Sequence, residues 1–327
     1  MQRFPFTNYP IGWFAVVDSE DVAPGTIVPR HVLGQELICY RGESGAVRVA
    51  DAFCPHNGAH LGYGGTIDGD DLLCPFHGWR FGANGENVDV PYADRPRRGA
   101  QLRFWHSREM AGYVFAWHDP QGGPPLFELP NIPEATDPEY VRHVPPGAEW
   151  HIRTHVQEIL ENTVDLAHFR FVHKVSGFLG ATITVDGANF RSVADVVFPT
   201  PRGDTSGQVE SDLWGLGIDV VRRRGIGPQC PTIMTVTPVD VDDVMARYTF
   251  FLPRGHEDGL DGDVTHLGQA HVRDFMKQIE RDIPIWEHKI YRSRPKLTKE
   301  EAAVAQFRRW ARQFYGTANA ISRIDPS

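Results

Sequence analysis

Four residues in the first third of the chain have the types and spacing to hold metal. Within CPHNGAHLGYGGTIDGDDLLCPFHGW, Cys54 and His56 flank Pro55, while Cys74 and His77 flank Pro75 and Phe76. Thiolate with imidazole suits zinc or an iron–sulfur cluster, and the spacing alone leaves both open. Finger-type zinc sites carry both histidines together, about three to five residues apart. Here each histidine stays with its own cysteine in a Gly/Pro-rich loop. Two equivalent loops each offering one thiol and one imidazole favour a cluster. His60 lies outside the four-ligand pattern and reads as a loop or hydrogen-bonding residue. Gly58, Gly62, Gly64 and Gly65 let the backbone approach sulfide and donate N–H groups, although any turn needing positive φ would use them too.

A second group sits in ENTVDLAHFRFVH, residues 161–173. On a regular helix Asp165 and His168 share a face, whereas His168 and His173, five positions apart, diverge by about 140°. For both imidazoles to reach one ion, the helix must end or distort just after His168. Two histidines and one carboxylate on three corners of an octahedron leave the opposite face open, the donor pattern of non-haem Fe(II) sites. The remaining carboxylate is expected from a distant helix. QIERDIPIWEHK, residues 278–289, offers Glu280 and Asp282, and Pro284 beside them predicts a kink that turns one acid inward.

These residues need elements to position them. With 327 residues, 41% hydrophobic and 23% charged, the chain can bury two ordinary cores. A formal charge of −9 argues against a nucleic-acid surface, which requires a basic face. The run Arg222, Arg223, Arg224 reads as a solvated strand edge, or as a docking patch for an acidic electron carrier. Four cysteines are too few for a disulfide scaffold; Cys39 and Cys230 read as buried small hydrophobes. MQRFPFTNYPIGWFAVV lacks the apolar stretch of a signal peptide, and no run is long enough to span a membrane. A cytoplasmic protein is the expectation.

Short apolar runs such as WFAVV, ELICY and YVFAW, separated by Gly, Pro and Asp, predict a small all-β domain over residues 1–125. Residues 126–327 form the second domain. Apolar residues at helical spacing predict a helix over Thr154–Phe171, and further helices over Thr265–Lys289 and Lys299–Phe314. Long alternating stretches from 181 to 252 predict an antiparallel sheet buried on one face. The fold class is therefore α+β: an all-β domain, then a curved antiparallel sheet with helices against it.

CPHNGAHL and CPFHGW resemble the two binding loops of the Rieske family, in which two cysteines hold one iron of a [2Fe–2S] cluster and two histidines the other. That resemblance covers about residues 10–120. A cluster carrier alone would need only the first third of this chain. D-x-x-H-x-x-x-x-H, here Asp165, His168 and His173, is similar to the motif of Rieske non-haem iron oxygenases, and this likeness extends over the whole chain. It implies the helix-grip form of catalytic domain, His168 and His173 as Fe(2+) ligands, and Asp282 rather than Glu280 as the third. It also implies that Asp165 joins His168 by hydrogen bonds to a cluster histidine, His77, of a neighbouring subunit in a homotrimer. Asn162 and Glu161 are expected in the same polar shell.

ERDIPIWEHKIYRSRPKL and FRRWARQFY resemble the steroid-acting branch, the bacterial 3-ketosteroid 9α-hydroxylase oxygenase components and the cholesterol 7-desaturases. Animal desaturases carry a membrane anchor before the Rieske domain; this chain starts almost directly with that domain, so a bacterial-type soluble enzyme is expected. The implied activity is hydroxylation or desaturation, with O2, of a bulky apolar ring substrate. Alternatives are a demethylase or hydroxylase of a smaller aromatic or alkaloid-like compound, an electron-transfer Rieske protein, and a zinc-stabilised binding protein. No G-x-G-x-x-G joins a strand to a helix, so electrons are expected from a separate NAD(P)H-dependent reductase, with or without a ferredoxin. For the pocket, DLWGLGIDVV reads as one strand with Leu213, Gly215 and Gly217 opposite Trp214, Leu216 and Ile218, small residues giving room and large ones walls. Phe169, Phe171, Phe178 and Leu179 are candidates for its mouth, or for plain core.

Overall fold

The computed structural model describes residues 3–200, 203–225, 227–255 and 264–316. Two compact units divide the chain: Phe14–His118, and Asp119–Ser327 together with Met1–Trp13. The division falls at the head of the Pro/Gly-rich stretch. That the first residues belong with the second unit has no signature in local pattern.

The Phe14–His118 unit is all β. One four-stranded antiparallel sheet runs Ile27–Val32, Gln35–Arg41, Val47–Asp51 and Phe104–Trp105; a second runs Thr66–Asp68, Asp71–Leu73, Arg80–Phe81 and Asn87–Asp89. Ile38, Tyr40, Ala50, Leu61, Leu72, Phe81 and Leu102 form the core, and Cys54 and Cys74 pack on it. Such short strands bury little area each, so tight turns carry much of the specification. At Gly85 the backbone takes φ +84°, and a Cβ there would lie 2.0 Å from the Leu102 carbonyl oxygen. Only glycine fits that approach.

The second unit is built on one eight-stranded antiparallel sheet. Its strands are β1 (Tyr140–His143), β2 (Glu149–Ile152), β3 (Gly177–Asp186), β4 (Asn189–Thr200), β5 (Gly203–Trp214), β6 (Ile218–Arg224), β7 (Thr232–Asp240) and β8 (Asp243–Pro253). The order is β1-β8-β7-β6-β5-β4-β3, with β2 also pairing β8. Neighbouring strands from β3 to β8 are joined in sequence, as an antiparallel meander requires. The one-strand reading of DLWGLGIDVV is corrected: Trp214 ends β5, Ile218 begins β6, and residues 215–217 turn between them. Gly215 takes φ +61° in that turn, so the glycines close a hairpin instead of making room in a pocket wall.

Among the described residues four α-helices accompany the sheet: α1 (Val156–Asn162), α2 (Leu166–Phe171), α3 (His266–His288) and α4 (Ala302–Ala311). The helix expected over Thr154–Phe171 is therefore two. Thr163 Oγ1 donates to Leu160 O (2.8 Å), and the N–H groups of Val164 and Asp165 reach back three residues, tightening the end of α1. Asp165 then caps α2, its Oδ1 accepting from Ala167 N–H (3.1 Å). Thr and Asp side chains compete here with helical hydrogen bonding, which breaks the helix without Gly or Pro.

α3 is a long amphipathic helix capped by Thr265, whose Oγ1 accepts from Gly268 N–H (3.0 Å). Val272, Phe275, Asp282 and Trp286 are buried along one stripe at helical spacing. Asp282 is thus turned inward by helical phase, whereas Glu280 is exposed. The helix continues past Pro284, which sits on its exposed side.

Candidate functional site

In the first unit, Cys54 and Cys74 head twin loops. Cys54 N–H donates to Ala59 O (2.8 Å) and Gly58 N–H to Cys54 O (2.9 Å); Cys74 N–H donates to Trp79 O (2.8 Å) and Gly78 N–H to Cys74 O (3.0 Å). Gly58 and Gly78 take the same left-handed turn, φ +74° and +71°. Equal turns bring equal ligands together: the His56 and His77 rings meet edge to face, 4.7 Å between centroids. Burial, with Cys74 alongside, pushes the Cys54 thiol up to about 11, so a thiolate there needs a cation such as iron. His77 Nδ1 is buried and has no hydrogen-bond partner among the described residues. Two thiols, two imidazoles and an orphaned ring nitrogen fit a [2Fe–2S] cluster of the mixed-ligand kind. Trp79 stacks on His56 (4.2 Å, 10°) and donates its indole N–H to Tyr92 Oη (2.7 Å). Neither aromatic stood out in sequence, although Trp79 belongs to CPFHGW.

In the second unit, ligand atoms of His168, His173 and Asp282 lie within 4.8 Å of one another. His168 Nε2 is 3.1 Å from His173 Nε2, which is 3.3 Å from Asp282 Oδ2. The helix does not end just after His168: α2 runs to Phe171, and His173 follows its C-cap Val172. His168 Nδ1 contacts the carbonyl oxygen of Asp165, which places the ring proton on Nδ1 and leaves the Nε2 lone pair toward the ion site. Burial lowers the His168 pKa, with Asp282 and Asp165 opposing, so the neutral imidazole that binds metal is the ordinary form. The donor set, two imidazoles and a buried carboxylate, fits Fe(2+) with open positions.

Asn162 Nδ2 lies 3.0 Å from His168 Nε2, which puts the amide beside the ion site. Asp165 reaches His168 through its backbone carbonyl, while its carboxylate caps α2. Glu161 is turned elsewhere, gripped by Arg308 through Nε (2.5 Å) and Nη2 (2.7 Å). It anchors α1 to α4 and is not part of the polar shell expected from sequence.

The three candidate ligands line a cavity with about 760 Å³ of empty space, part of it open to solvent. Ile159, Phe169, Val209, Val221, Met234, Phe275 and Trp286 give apolar walls; Asn162, Ser211, Asp219, Arg223, Tyr248 and Gln278 are among its polar members. Apolar walls with a few placed polar groups are the lining an organic ligand needs. Of the four residues expected at its mouth, Phe169 lines it, Phe178 packs in a neighbouring apolar cluster, and Phe171 and Leu179 are exposed. Arg223, Asp219 and Gln278 were missed because β6 and α3 meet only through the tertiary fold. The reading of Arg222–Arg224 as a solvated edge is corrected at Arg223: side chains alternate along β6, so Arg223 faces the cavity. Cys39 and Cys230 are buried, and burial pushes both thiols up to about 12.

A two-loop cysteine–histidine site followed by a two-histidine, one-carboxylate site defines a protein with two different iron centres. Residues 12–107 match the Rieske [2Fe-2S] domain model, and residues 116–315 match the 3-ketosteroid 9alpha-hydroxylase C-terminal domain model. The chain is 33% identical to a cholesterol 7-desaturase of Bombyx mori over 94% of its own length and 70% of that protein. It is 31% identical to a 3-ketosteroid-9-alpha-monooxygenase, oxygenase component, of Rhodococcus rhodochrous, over 93% of this chain and 79% of the other. A Pseudomonas putida CBB5 NdmA variant solved with caffeine has the same fold, with TM-score 0.76 at 18% identity, covering 95% of this chain and 93% of that one. The chain belongs to the Rieske non-haem iron oxygenases, in the branch that carries the 3-ketosteroid 9α-hydroxylase C-terminal domain. It is an oxidoreductase whose cofactors are a [2Fe–2S] cluster and Fe(2+), with O2 as co-substrate. Among the described residues no helix is long and apolar enough to cross a membrane.

Proposed function

We propose that this chain is a terminal oxygenase that hydroxylates or desaturates a steroid- or sterol-like ring substrate. Cys54 and Cys74 hold one iron of the cluster and His56 and His77 the other; His168, His173 and Asp282 hold Fe(2+). The observation that carries the reading is the convergence of those last three residues in the wall of a mostly apolar cavity. When bound, the cluster passes single electrons and the ferrous ion activates O2 for attack on a C–H bond.

The chain's own residues do the rest. Phe169, Phe275, Ile279 and Trp286 exclude water and hold an apolar body against the triad. The Asp165 carbonyl fixes the His168 tautomer, and the Asn162 amide flanks the side on which a substrate would arrive. Asp165 links His168 to His77 of a neighbouring subunit in a homotrimer, which gives electrons a short route between centres. The electron donor is an NAD(P)H-dependent reductase, with or without a ferredoxin.

The test is a panel of sterols, 3-ketosteroids and smaller aromatics, incubated with the purified chain and a surrogate reductase, with product analysis and O2 uptake. Hydroxylated or desaturated steroid product is expected. Turnover confined to the small aromatics, or none with any steroid, would overturn the substrate class. A colourless protein lacking acid-labile sulfide would overturn the cluster assignment.

A further inference from the structure

The polar wall of the cavity holds a cation that nothing in the triad's chemistry uses. Alternation along β6 directs Asp219, Val221 and Arg223 to the cavity, and Arg222 and Arg224 to the other face. Those two are paired, Arg222 with Glu134 (3.1 Å) and Arg224 with Glu210 (3.3 Å). Among the described residues Arg223 makes no ion pair of that kind. Its Nε is buried and has no hydrogen-bond partner among the described residues, and its only side-chain hydrogen bond is a long one from Nη2 to Gln278 Oε1 (3.5 Å). Asp274 favours its charge at a distance, but Asp274 Oδ2 is taken by the Gln278 amide (2.6 Å). Asp219 is engaged by the Ser211 hydroxyl and by Asp212 N–H.

The guanidinium is held in place nonetheless. It lies over Phe275 (5.2 Å) and Phe198 (5.8 Å), two rings that fix its plane. A guanidinium does not shed its proton, so a half-buried one with no anion beside it is left underpaired. A pre-positioned, underpaired fork in a ligand cavity is what recognises a carboxylate by two parallel hydrogen bonds. Along α3, Arg223 meets Phe275 and Gln278, one to two turns before Asp282.

We propose that Arg223 is a specificity-determining residue that receives a carboxylate on the substrate. The preferred substrate is then an apolar polycyclic acid instead of a neutral sterol. This rests on the steroid-like reading above and sharpens it.

The test compares a steroid carboxylic acid with its methyl ester, the same skeleton without the charge, by calorimetric binding to the holoenzyme and by coupled turnover. The parent should bind the acid about tenfold or more tightly than the ester. In Arg223→Gln the acid-to-ester ratio should fall close to one, through KM and not kcat, and Arg223→Lys should keep part of the preference. The visible cluster spectrum and circular dichroism report whether each variant is folded, and Arg223→Lys keeps the test open if Arg223→Gln does not fold. Equal affinity of the parent for acid and ester, or an unchanged ratio in Arg223→Gln, overturns the assignment. If the ester is bound and oxidised without any advantage of the acid, only Arg223's role falls; if neither compound binds, the steroid-like reading falls with it.

Discussion

Replacing Asp219 by asparagine should stabilise the protein above neutral pH and leave it unchanged in acid. Asp219 has no exposed surface, and burial pushes its carboxyl up from 3.8 to about 7; the charge on Asp212 adds to this, while hydrogen bonds from Ser211 and Asp212 N–H oppose it. Because the folded value is the higher one, the sign runs against the usual carboxylate case. Below about pH 4 both states are protonated and no cost exists. As pH rises to about 7 the unfolded chain ionises while the folded one keeps its proton, so stability is lost across that window and stays lost above it. The span from 3.8 to about 7, at about 1.36 kcal/mol per pH unit, amounts to about 4 kcal/mol. Asparagine matches the protonated acid in shape, can still accept from the Ser211 hydroxyl and Asp212 N–H, and carries no charge to desolvate. Urea unfolding followed by circular dichroism, parent against Asp219→Asn from pH 4 to 8.5, should show a gap that opens with pH and then levels. A gap that stays constant with pH, or one that closes as pH rises, would refute the argument.

Three further outcomes follow from the sites. His168→Ala should cut turnover by at least about a hundredfold while the brown cluster remains visible; turnover close to that of the parent would remove His168 from the iron site. Asp165→Asn should keep both metals by elemental analysis yet slow product formation in a single turnover by about tenfold, and unchanged kinetics would discard the electron route through it. Gly85→Ala should destabilise the first unit by more than about 2 kcal/mol, since a Cβ would sit 2.0 Å from the Leu102 oxygen at φ +84°, read as bleaching of the cluster at lower temperature. No loss of thermal resistance would mean that the turn relaxes freely.

Whatever rests on residue type and short-range period was legible along the chain. The paired Cys and His of the twin loops, the Asp165–His168–His173 motif and the helix at His266–His288 are all local patterns; the helix stands where its period put it, and His168 and His173 come together with Asp282. The branch was legible too, because ERDIPIWEHKIYRSRPKL and FRRWARQFY are contiguous. Tertiary structure decided whatever depends on a partner far along the chain. Glu161 could not be told from a site residue until Arg308, 147 positions away, closed on it. Three adjacent arginines look alike in one dimension, yet strand register sends one into the cavity and two to acids on the other face. Register likewise made a hairpin of DLWGLGIDVV, since alternation continues across a tight turn and conceals it. Spacing along the chain encodes which side of an element a residue occupies, but what that side meets is set by packing.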